Sequence, residues 1–117
     1  MYSAQVLDHF QNPRGVGELA RASAVVELQN PACGDVLKLS LAFENGRIVD
    51  ALFRAKGCVP AIACGSKLVE MLKGLTVANA KAITREQLIA ELGGLPQASQ
   101  HAAGLAIDAL QSALKQL

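Results

Sequence analysis

The sequence predicts an α+β fold: a three-stranded antiparallel sheet packed against several helices, with a long helix at the C-terminus. Three observations carry that prediction. Val36, Lys38 and Ser40 alternate with Leu37, Leu39, Leu41 and Phe43, the period-two pattern of a half-buried strand. Asn45-Gly46 follows at once, the dipeptide that most favours a tight hairpin. Beyond Gly57 the apolar residues recur at helical spacing.

In chain order, Ser3 can cap a first helix with Val6, Leu7 and Phe10 on one face, stopping near Asn12-Pro13. Gly15 and Gly17 mark an irregular connector. Ala24–Gln29 is rich in valine and reads as a strand, Val36–Glu44 as its neighbour, and Ile48–Lys56 as the returning strand of the hairpin. Pro60 suits a first helical turn, so a helix is expected from about Pro60 to Lys73 with Ile62, Leu68, Val69 and Leu72 inward. Thr76–Lys81 and Thr84–Leu92 read as two short helices, the second opened by a Thr84–Gln87 capping box. After the break at Gly93-Gly94-Leu95-Pro96, residues Gln97–Leu117 form a final amphipathic helix with Leu105, Ala109 and Leu110 among its apolar positions.

Composition narrows the function classes. A chain of 117 residues argues for one domain spanning residues 1–117, and 51% hydrophobic residues suffice for its core. Aromatics at 3% and a net charge of +1 speak against nucleic-acid binding, which calls for stacking platforms and a basic face. No apolar run approaches the roughly 20 residues of a membrane span. The N-terminus lacks an apolar signal core, so the expected location is cytoplasmic. In a reducing compartment, three cysteines point to metal or sulfur chemistry rather than disulfides.

The chemistry gathers around Asn30-Pro31-Ala32-Cys33-Gly34-Asp35. A thiol and a carboxylate two residues apart on a rigid turn can converge on one ion, and the other ligands must come from elsewhere. Cys58 precedes a helix start, where the dipole and free N–H groups are expected to lower a thiol's pKa. Cys64 lies a turn or more further into the same helix. His9 reads as a surface residue of the first helix, and His101 falls in the first turns of the last. A cysteine hydrolase would want a base, an oxyanion arrangement and a substrate pocket, and only the base has a candidate, His101.

Together, Pro31-Ala32-Cys33-Gly34-Asp35, the hairpin, Gly57-Cys58-Val59-Pro60-Ala61-Ile62-Ala63 and a histidine opening the last helix resemble the iron–sulfur cluster scaffold family, the IscU proteins and the N-terminal domain of NifU. The opening Tyr2-Ser3 through Asp8-His9-Phe10, Asn12-Pro13-Arg14 and Val16-Gly17 is similar to the family's N-terminal signature. The resemblance covers essentially the whole chain. It implies a three-stranded antiparallel sheet covered by helices, and a site that holds a transient [2Fe–2S] cluster, or zinc in its absence. It implies Cys33 and Cys58 as ligands and Asp35 as the carboxylate that favours cluster lability. It implies a cysteine desulfurase as sulfur donor and recipient apo-proteins or cluster carriers as partners, with no catalysis in the ordinary sense.

This chain departs from the family at the third cysteine, where His101-Ala102 stands for His-Cys. Two compensations follow: His101 completes the set Cys33, Asp35, Cys58 and His101, the favoured one, or Cys64 swings in to restore a third thiolate. A site one thiolate short can also borrow a ligand from a second subunit, which would make a homodimer. Leu95-Pro96-Gln97-Ala98-Ser99 keeps two of the five residues of the family's chaperone-docking motif, which weakens the case for a dedicated Hsp70-type chaperone. Beside the scaffold reading stand a zinc-bound sulfur acceptor of a desulfurase and a metal-free paralogue that modulates a true scaffold.

Overall fold

A computed structural model describes residues 1–31 and 34–117. Helix α1 spans Ala4–Gln11. Its N-cap is Ser3, whose oxygen accepts the Val6 N–H at 3.0 Å and whose hydroxyl donates to the Leu92 carbonyl. The buried face of α1 differs from the one expected. Val6 and His9 are buried, while Leu7 and Phe10 are 41% and 37% exposed. Positions 6 and 9 share one face of a helix, and the neighbouring helix offers His9 a polar partner there, so that face turns inward.

Strands β1 (Ala24–Gln29), β2 (Val36–Glu44) and β3 (Arg47–Lys56) form one antiparallel sheet in that order. Glu27 sits opposite Lys38, and Leu39 opposite Phe53. Asn45 and Gly46 have φ of 53° and 79°, the two positive values that a tight hairpin turn with the sheet's own twist requires. Leu37, Leu39, Leu41, Ala51 and Phe53 are buried on the inner face, as the alternation predicts. Ser40, on the opposite face, is buried as well. The connector after α1 crosses that side: Gly15 and Gly17 bond the backbone of Phe53, and Glu18 pairs with both Lys38 and Arg54.

Helix α2 (Val59–Leu72) lies on the inner face between α1 and the last helix, which is why it is buried nearly all round. Small residues let it approach the sheet: a β-carbon at Gly65 would stand 2.5 Å from the Phe53 ring. Helices α3 (Val77–Lys81) and α4 (Arg85–Glu91) open on Thr76 and Thr84, each accepting the N–H three residues on. The expected single C-terminal helix is divided. Gln97–Ser99 forms one 3₁₀ turn after Pro96, and α5 runs from Gln100 to Leu114. Leu105, Ala109 and Leu110 face the core. Gln116, just past the helix, is drawn off to β1, where its side-chain amide bonds both backbone groups of Val25. Among the described residues, no helix is long and apolar enough to cross a membrane.

Candidate metal centre

Three elements meet at one end of the sheet. Asp35 immediately precedes β2, and its backbone C=O accepts the Asn30 N–H at 2.8 Å, closing the β1–β2 connection. Cys58 is the N-cap of α2. His101 is the second residue of α5. One ligand atom from each, and these three alone among the described residues, lie within 4.8 Å of one another. Cys58 donates its S–H to Asp35 Oδ2 at 3.2 Å, and His101 Nε2 stands 3.6 Å from the same oxygen.

Each side chain is aimed by its surroundings. Gly57, with φ of 153°, lets the strand end pass directly under the carboxylate, where a β-carbon would stand 2.7 Å from Asp35 Cγ. The Nδ1–H of His101 donates to the Ala98 carbonyl at 3.0 Å. A carbonyl can only accept, so this bond places a proton on Nδ1, and in the neutral ring it leaves the Nε2 lone pair facing Asp35 and Cys58. The 3₁₀ turn is therefore part of the site, since it supplies that carbonyl. Sequence reasoning missed both Gly57's contact and the Ala98 bond. Gly57 was legible as a strand end only, and the Ala98–His101 separation of three residues was the available signal for the other.

The thiols differ from expectation. Burial pushes the Cys58 thiol up in pKa, the Ala61 N–H pulls it down, and the Asp35 carboxylate that accepts its proton raises it again. The helix N-terminus does act as predicted, but desolvation and the adjacent carboxylate outweigh it. A bound cation reverses that balance by displacing the shared proton. Cys64 does not join the group. It is fully buried in the core, where burial and then the neighbouring Cys58 push its pKa up to about 12. His9 also lies apart and is no surface residue. It is buried against α2, with Nδ1 2.7 Å from Ser66 Oγ. Cys33 lies outside the described residues. Ala102, in place of the family cysteine, is buried in the core and offers no ligand atom.

The NifU-like N-terminal domain model matches residues 1–117. The chain belongs to this family. It is 45% identical over 114 residues to iron-sulfur cluster assembly scaffold protein IscU 1 of Archaeoglobus fulgidus, a match covering 97% of this chain and 74% of that one. It is 41% identical over 117 residues to the iron-sulfur cluster assembly scaffold protein IscU of Haemophilus influenzae, with 97% and 92% covered. Among solved structures, the N-terminal NifU-like protein of Brucella abortus superposes with a TM-score of 0.81 at 20% identity, covering 97% of this chain and 92% of that one, which establishes the shared fold. The antiparallel sheet, its flanking helices and the long α5 are thus the family's architecture.

Proposed function

We propose that this NifU-like domain is a scaffold on which iron–sulfur clusters are assembled and from which they are passed on, with Cys33, Asp35, Cys58 and His101 as its ligands. The observation that carries the reading is the convergence of Asp35, Cys58 and His101 within 4.8 Å in a chain whose relatives are named as such scaffolds. Thiolate, imidazole and carboxylate donors suit iron and tetrahedral zinc alike. The cluster is cargo, a [2Fe–2S] unit, and zinc takes the same donors when no cluster is present. A carboxylate in place of a soft thiolate makes a weaker hold on iron, which suits release. His101, with Nε2 unprotonated, supplies the donor that Ala102 lacks. A cysteine desulfurase would deliver the sulfur, and apo-proteins or carriers would receive the cluster. The whole chain acts as one unit in the cytoplasm, and turnover of a substrate is not its task.

Elemental analysis tests this, with iron, zinc and acid-labile sulfide measured on protein purified and reconstituted without oxygen. Wild type should carry iron with matching sulfide, and Cys58→Ala should lose both. Iron without sulfide, or metal retained in the Cys58 variant, overturns the proposal.

A further inference from the structure

The two edges of the sheet are sealed unequally. Along β3, Ile48 exchanges backbone bonds with Leu75 and Gly74, Phe53 does so with Gly15 and Gly17, and the Ala51 N–H donates to the Asp50 carboxylate at 2.9 Å. Along β1 the outward-facing residues are Val25, Glu27 and Gln29. Asn30 closes the ladder toward β2 through Asp35, and backbone groups alternate from there. The Gln116 amide covers Val25, accepting its N–H at 3.1 Å and donating to its C=O at 2.9 Å. Among the described residues, nothing covers the outward N–H and C=O groups of Glu27 and Gln29.

This open stretch ends beside the ligand group. A cavity of about 260 Å³ adjoins it on the α5 side, lined by Gln29, His101, Leu105 and Asp108 among others. A strand laid along Glu27 and Gln29 would send alternate side chains into that cavity and onto the outer face beside Glu27. Asp108 is exposed and makes no ion pair with any described residue, and Glu27, also exposed, faces Lys38 across the ladder, whose ammonium is already held by Glu18.

We propose that β1 is the docking edge for an extended, basic segment of a partner protein, which joins the sheet as a fourth strand along Glu27–Gln29 and sets cationic side chains against Glu27 and Asp108. Main-chain bonds supply the affinity and the two acids the selectivity. A second copy of this chain is the poorer occupant, because β1 itself carries no basic residue to meet either acid. That the partner gives sulfur or takes the cluster rests on the scaffold reading; the docking edge does not.

The test uses the full metal-free chain and a blocked hexapeptide of alternating valine and lysine, followed by amide hydrogen exchange in NMR spectra. The Glu27 and Gln29 amides should become protected, and a valine–glutamate hexapeptide should bind less. Gln29→Pro removes one outward donor and should weaken binding about 5- to 10-fold, the worth of one hydrogen bond. The double variant E27Q with D108N leaves the backbone intact and should abolish the preference for lysine over glutamate, so the test survives if Gln29→Pro fails to fold. Absence of binding, protection confined to other strands, or equal binding of both peptides overturns the proposal. Because no metal is present, failure here leaves the metal analysis untouched, and failure of iron loading leaves this edge untouched.

Discussion

His9 and His101 are each held by one hydrogen bond through Nδ1, yet the two bonds leave their rings in different states. Ser66 Oγ already accepts the Arg14 N–H at 2.8 Å, so its hydroxyl proton is available to His9 Nδ1. That places the His9 proton on Nε2, which faces Glu70 Oε1 at 3.8 Å in a buried seam between α1 and α2. His101 instead donates from Nδ1 to a carbonyl at 3.0 Å and keeps a free lone pair at Nε2, on a half-exposed ring. The thiols divide the same way. Cys64 is sealed in the core, while Cys58 lies at the surface against a carboxylate. Residue type alone does not make a ligand. What decides it is which atom is left unprotonated and reachable, and the hydrogen-bond partner of the other nitrogen sets that.

The sharpest way to break this contrast is to exchange the losses. Removing a proposed ligand, in Cys58→Ala or His101→Ala, should lower zinc affinity by more than the roughly 10- to 100-fold that loss of a ligand's outer hydrogen-bond partner typically costs. The metal-free melting temperature should barely move in His101→Ala, since the ring is exposed. Competition titration against a chelator reads the affinity, and calorimetry reads the melt. His9→Ala should do the reverse. It empties a buried volume and leaves the Ser66 hydroxyl without its acceptor, at a cost of about 2–3 kcal/mol in urea unfolding, with zinc affinity unchanged. If His9→Ala loses zinc while keeping its stability, the assignment of the two histidines is inverted.

How far this contrast could be read from residues alone differs between fold and site. The hairpin was fully legible, because Asn45-Gly46 dictates its own backbone and the alternation through β2 fixes its inner face. The Thr84 cap and the residues burying α5 were legible for the same local reason. The inner face of α1 was not. Leu7 and Phe10 are the more apolar choice, and only the presence of Ser66 across the seam, 57 residues on, makes His9 the buried one. At the site, Asp35, Cys58 and His101 could be named from their resemblance to the scaffold family, and their meeting depends on tertiary contacts. The state of the Cys58 thiol was misjudged because the helix start is a local signal, whereas burial and Asp35 come from elsewhere in the chain.

Cys64→Ser sharpens the comparison between the thiols. The new hydroxyl is buried, but it can donate back to the Pro60 carbonyl one turn earlier, so the cost should be about 1 kcal/mol rather than that of a fully orphaned group. Zinc and iron content should match wild type. Metal loss in this variant would mean that Cys64 reaches the site after all and that His101 is not the replacement donor.

The smallest expected effect is in acid. Burial first, then the Arg14 guanidinium, holds the His9 pKa below its usual 6.5, against the pull of Glu70. The folded chain therefore binds a proton at His9 less readily than the unfolded chain does. Well above about pH 6.5 neither state is protonated and His9 contributes no pH dependence. As pH falls below that, the unfolded state takes up the proton first and stability declines, levelling only below the folded-state pKa. Asp8 and Glu70, both exposed, act on His9 through space and are held low by Arg14 and Lys67 respectively, so their own losses begin further into acid, around and below the ordinary carboxylate range. His9→Gln, which keeps a hydrogen-bonding side chain without a titrating ring, should flatten the urea-unfolding profile between pH 7 and about pH 5 and leave the steeper fall below pH 4.5 in place. Flattening by His101→Gln instead, measured without metal, would assign the titration to the ring at the site and undo the distinction between the two.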